Sequence, residues 1–145
     1  MKRIVVILVI LVVGIQFIPA KRTNPAVIYD FDGPPEVKAI LQRGCYDCHS
    51  HETKWPWYSH VAPASWVVAH DVKEGREHLN FSNWEPLKHI VWIHQEIYRE
   101  VAEGEMPLKA YLIAHPAAEI SSEELSVLKA WAGISSREDR RIDTD

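Results

Sequence analysis

The chain of 145 residues is short of sulfur: it holds two cysteines and two methionines. A single Cys pair excludes a structural zinc site built from two spaced pairs, and no H-x₃₋₅-H follows at finger spacing, since His89 and His94 are five apart. Basic excess is missing as well. The balance is 16 Lys+Arg against 20 Asp+Glu. No basic stripe stands out, so nucleic acid is not an expected partner. Strand-like alternation is weak throughout, and no internal repeat is visible. These absences leave an all-α domain with long loops.

What is present starts with "MKRIVVILVILVVGIQFIPAKR". Lys2 and Arg3 precede an almost unbroken aliphatic run, Ile4 to Ile18, in the pattern of an export signal. The only cleavage candidate, "IPA", puts Ile18 where a small residue is preferred. The run is short for a span, which takes about 17–25 residues. Lys2, Arg3, Lys21 and Arg22 extend its reach by snorkelling. Residues 1–20 are therefore expected to form an uncleaved N-terminal anchor helix, with a cleaved signal as the alternative. Two basic residues on each side leave its orientation unset by charge. Residues 21–34 read as a spacer, 35–133 as one domain of ordinary size, and 134–145 as a charged tail.

Four helical segments are expected. "PPEVKAILQRGCYDCHS" carries Val37, Ile40, Leu41, Cys45 and Cys48 at helical spacing behind Pro35. "PASWVVAHDVKEG" sets Trp66, Val67, His70 and Val72 on one side and ends at Gly75. "EPLKHIVWIHQEIYREVAEGE" has Ile90, Ile93, Ile97 and Val101 as its stripe, between Pro86 and Gly104. "ISSEELSVLKAWAG" opens with a capping box, Ser121 to Glu124, and stops at Gly133.

Both cysteines lie in "CYDCH". A thioredoxin-like redox pair needs a βαβ context that this chain lacks. A disulfide across two residues closes a tiny loop and stabilises little. The remaining reading is covalent haem attachment. On a helix, Cys45, Cys48 and His49 stand at i, i+3 and i+4 and project from one face. The thiols add to two vinyl groups as thioethers, and His49 is held beneath the iron. One covalent haem c is thus the expected cofactor. Such attachment takes place outside the bacterial cytoplasm, so the domain is expected on the periplasmic side of the inner membrane, or free in the periplasm or exterior if the signal is cleaved.

For the sixth iron ligand, Met106 in "EGEMPLKAY" is the candidate. Gly104 permits a turn and Pro107 biases Met106 toward an extended conformation. A thioether there raises the potential; the other reading is a gap-filling core Met. His70 is the first rival, on the expected apolar face of its helix, followed by His115. Most of the tryptophans read as core, with Trp55, Trp57 or Trp66 as haem walls. Arg76 or Lys109 is a partner for a haem propionate, against the default of a solvated charge.

C-x-x-C-H-S, W-P-W-Y, the H-D-V-x-x-G-R segment, L-N-F-S-x-W and G-E-M-P-L, spread from Pro35 to Trp131, together resemble the bacterial haem-binding domain family of exported c-type proteins. That resemblance implies attachment at Cys45 and Cys48, proximal ligation by His49, and a methionine at Met106. A looser similarity to class I cytochromes c implies a small helical domain around the haem in which the first and last helices cross. The tryptophan-rich stretch from Trp55 to Trp84 departs from a minimal cytochrome c.

The expected function is a membrane-tethered or periplasmic monohaem cytochrome c that passes single electrons between redox partner proteins, with His49 and Met106 on the iron and no open position for a substrate. Its net negative charge favours partners with basic docking patches. The alternatives are a haem peroxidase with His70 or His60 as acid–base partner, and a gas- or redox-sensing or haem-delivery module.

Overall fold

A run of aliphatic side chains offers the backbone no local polar competitor, and Lys2–Ile15 closes into helix α1. The computed structural model describes residues 1–135. Most of the expected tail lies outside them. At 14 residues, α1 is about 21 Å long, shorter than the segment 1–20 expected to be helical. Among the described residues no helix is long and apolar enough to cross a membrane. The side chains from Ile4 to Val13 all stand exposed.

Helix α2, Pro35–Gly44, starts on its proline and buries Val37, Ile40 and Leu41. A single turn, α3, Tyr46–His49, follows after a break at Cys45. Helix α4 is Ala64–His78, α5 is Val91–Ala102, α6 is Lys109–Ala114 and α7 is Ser122–Trp131. Short 3₁₀ turns occupy Trp57–His60 and Pro116–Ala118. Among the described residues there is no strand, only an isolated bridge between Tyr29 and Asn83. The all-α expectation holds.

Two of the four expected helices match closely. The capping box of α7 forms: Ser121 Oγ accepts from the Glu124 amide at 3.2 Å, and Glu124 Oε2 accepts from the Ser121 amide at 2.9 Å. In α5, Ile93 and Ile97 are buried as the stripe required. Its start comes later than expected, because residues 85–89 are spent in turns. The expected face of α4 is not observed. Val67 and His70 are exposed, whereas Ser65 and Val72 are buried. The helix also runs past Gly75 for another three residues.

Phe31, Leu41, Phe81, Trp84 and Leu128 form the centre of the core, each at most 2 % exposed. Around it α2 packs on α3 and α7, α5 on α7, and α3 on α4, so the expected contact between the first and last domain helices is made. Residues 21–34, expected to be a spacer, are built into the domain. Phe31 sits among Phe81, Trp84 and Trp131. Asp30 accepts a hydrogen bond from Tyr46 Oη at 2.8 Å and pairs with Lys38 at 2.6 Å.

Candidate functional site

Helix α2 ends where a side chain would not fit. A Cβ on Gly44 would lie 2.8 Å from Ile120 Cδ1 and 3.2 Å from the Ala118 carbonyl oxygen. Cys45, at φ −125° and ψ −35°, then breaks the helix that the sequence pattern runs through it. Its carbonyl still accepts from the amides of Cys48 (3.1 Å) and His49 (2.9 Å). One tight turn therefore holds the two cysteines and the histidine at their i, i+3, i+4 offsets.

The segment Leu79 to Trp84 orients that imidazole. His49 Nδ1 lies 3.1 Å from the Leu79 carbonyl oxygen. A carbonyl only accepts, so Nδ1 carries the hydrogen and the lone pair is left on Nε2. The Phe81 amide donates to the His49 carbonyl at 2.8 Å, and the Phe81 ring stands edge-on to the imidazole. One residue on, the His51 amide donates to Ser82 Oγ at 2.8 Å, and Asn80 Nδ2 donates to His51 Nε2 at 2.9 Å. Burial holds the His49 pKa below its ordinary value against the opposing pull of the Leu79 carbonyl. Burial thus favours the neutral imidazole, the state a metal ligand requires.

Helix α4 closes the other side. A Cβ on Gly75 would stand 2.8 Å from the Cys48 carbonyl oxygen and 3.2 Å from Cys48 Cβ. Gly75 is thus a point of close approach between α4 and the two-cysteine turn, where a larger residue would collide with backbone. Neither cysteine is bridged, and both are half-buried. Burial pushes the Cys45 thiol up to about 12 and the Cys48 thiol up to about 11, with the neighbouring charge of Cys48 adding to the first and that of Asp47 to the second.

Asp47, between the cysteines, anchors a polar cluster that no local pattern signals. Tyr111 Oη donates to Asp47 Oδ2 at 2.8 Å. The Tyr111 ring stacks on His115 with centroids 4.3 Å apart. Tyr58 Oη and His115 Nε2 share a hydrogen bond of 2.7 Å. His115, considered as an iron ligand, is instead engaged here.

Arg76 is neither a solvated charge nor free for a propionate. It donates to Ser50 O (2.7 Å), Thr23 O (2.8 Å), Asn24 Oδ1 (3.0 Å) and Thr53 Oγ1 (2.9 Å). This clamp ties residues 23 and 24 and the chain after His49 to α4. Lys109 is exposed.

Met106 is half-buried on the loop after α5. Gly104, at φ +74°, makes the left-handed turn that only glycine adopts without strain. The next residue, Pro107, is buried, and its Cγ lies 3.7 Å from a Cβ placed on Gly44, immediately before Cys45. The Met106 loop and the front of the two-cysteine turn are therefore neighbours. His60 and His70 are exposed. His94 stacks on Trp131 on the far side of Trp84, with its Nε2 buried and unpartnered.

These residues fit a haem. Two unbridged thiols share one turn with an imidazole whose outer nitrogen is already engaged, the arrangement that fixes a histidine ligand's tautomer and ring plane. Among the described residues no three His, Cys, Asp or Glu gather to hold a bare metal ion. A family model described as a haem-binding domain matches residues 10–133. No curated protein and no solved structure matches the chain.

Proposed function

The chain belongs to the haem-binding domain family, and from that premise we propose that it is a membrane-tethered monohaem c-type cytochrome. The observation that carries the reading is the 3.1 Å contact from His49 Nδ1 to the Leu79 carbonyl, beside two free thiols at i, i+3. Cys45 and Cys48 would hold the haem as thioethers, His49 Nε2 would bind its iron, and Met106 would supply the sixth ligand. When bound, the haem supplies a one-electron iron couple.

The chain's own residues do the rest. The Leu79 carbonyl strengthens His49 as a donor through its Nδ1 hydrogen. Gly75 lets α4 press on Cys48 and exclude water from that flank. The Met106 loop, seated beside Gly44 through Pro107, would supply the neutral thioether. A soft neutral ligand favours the ferrous state and raises the potential. The apolar run from Ile4 to Ile18, with basic residues at both ends, supports a tether on the periplasmic side of the membrane, and redox proteins are the proposed partners.

The ferric absorption spectrum tests the reading, recorded with and without Met106→Ala. A low-spin wild type that turns high-spin in the variant is the expected result. A high-spin wild type that takes up cyanide or carbon monoxide at once would replace the carrier by an enzyme or a sensor. Pigment lost to acid–acetone would remove the covalent attachment.

A further inference from the structure

We propose that the face built from residues 16–29 and residues 55–70 lies on the surface of the anionic lipid bilayer into which α1 inserts, with the haem motif behind it. The inference rests on the tether reading and adds an orientation to it. Two stretches of this acidic chain carry no carboxylate. The first acidic residue is Asp30, so residues 1–29 offer only Lys2, Arg3, Lys21 and Arg22 as charges. From Trp55 to His70, between Lys54 and Asp71, there is no Asp, Glu, Lys or Arg at all.

The fold joins these two stretches. Gln16 and Ala62 bond reciprocally, Nε2 donating to the Ala62 carbonyl at 3.1 Å and the Ala62 amide donating to Oε1 at 3.0 Å. Trp66 Nε1 donates to the Ile18 carbonyl at 3.2 Å. Arg22 donates to the Ser59 carbonyl at 2.9 Å, and Trp55 Nε1 to Asn24 Oδ1 at 3.2 Å. The end of α1 is thereby fixed on the start of α4, so the domain does not swing freely from its tether.

What this face exposes matches an interface. Phe17 is 82 % exposed, Trp57 79 %, Val67 58 % and Val61 45 %. Large apolar groups left in water, continuous with an exposed aliphatic helix, call for a nonaqueous cover. Tryptophans prefer the headgroup level, and basic residues beside them attract anionic lipid. A carboxylate-free surface is what such a membrane tolerates. The 57–60 turn packs on α4, and the same helix meets Cys48 at Gly75. Helix α4 therefore links this face to the haem motif.

The test uses the haem-loaded full chain, in which Cys45 and Cys48 are consumed and an introduced cysteine is the only free thiol. Val61→Cys, Val67→Cys and Ala130→Cys carry the same fluorophore. Each is mixed with vesicles of phosphatidylethanolamine and phosphatidylglycerol with or without brominated acyl chains, and vesicle flotation is run alongside. Emission at positions 61 and 67 is expected to fall roughly twofold or more in brominated lipid, with position 130 on α7 unaffected. Flotation with no quenching at 61 and 67 refutes the orientation and leaves the tether standing. Failure to float refutes both.

Discussion

Replacing Gly75 by alanine puts a methyl carbon 2.8 Å from the Cys48 carbonyl oxygen and 3.2 Å from the Cys48 carbonyl carbon. At an open position inside a helix the same change stabilises by about 0.5–1 kcal/mol. Here the obstacle is backbone, which cannot rotate aside as a flexible side chain does. Forcing α4 off the two-cysteine turn is overpacking, which typically costs about 1–3 kcal/mol. The second effect exceeds the first, and a net loss of about 1–2 kcal/mol is expected. For a domain of this size that lowers the melting temperature by roughly 3–8 °C. Thermal denaturation of haem-loaded wild type and Gly75→Ala, followed by far-ultraviolet circular dichroism, measures it. A variant that melts at or above the wild type would show that α4 and Cys48 are not in contact, and the account of the motif's outer wall would fall with it.

Arg76→Ala removes four hydrogen bonds that join residues 23 and 24 to the haem motif; a loss of about 2–3 kcal/mol in urea unfolding is expected, and Arg76→Lys should recover little of it because an ammonium cannot span the same acceptors. The thiols, held up to about 12 and about 11 by burial, should react with iodoacetamide at pH 8 at least about 10²-fold more slowly in the folded haem-free chain than in urea, and equal rates would overturn the burial argument. Burial, with Asp30 beside Tyr46 and Asp47 beside Tyr111, raises both phenols well above their ordinary range. A raised folded value means their contribution is complete below the unfolded pKa near 10 and is lost above it. Stability should therefore fall by up to about 1.4 kcal/mol per pH unit per phenol above that point; denaturant midpoints that stay level from pH 9.5 to 11.5 contradict this. Tyr111→Phe should weaken the fold by about 1 kcal/mol and leave the ferric spectrum unchanged if Asp47 only anchors α6.

The parts of the molecule legible in the sequence are those set by chemistry over a few residues. The spacing of Cys45, Cys48 and His49 answers to one turn of backbone, and the turn is there even though the helix breaks before it. The Ser121 capping box and the Ile93–Ile97 stripe are equally local. What escaped the sequence depends on distant partners. Gly75 reads as a stop until Cys48 is seen against it. Phe31 is one aromatic in an aperiodic stretch, so nothing marked it as core. Arg76 and Asp47 meet partners up to 64 positions away, which no periodicity encodes. His70 looked inward because its neighbours Trp66 and Val67 are apolar, yet that side of α4 faces out.

The acceptor that orients His49 is a main-chain oxygen, and this has an evolutionary consequence. No single codon change deletes a peptide carbonyl. Mutation at position 79 alters what leans against the imidazole while the contact itself persists. Descendants of this protein can drift widely in that loop and keep the imidazole oriented, whereas a side-chain tie such as that from Tyr111 to Asp47 is lost in one step.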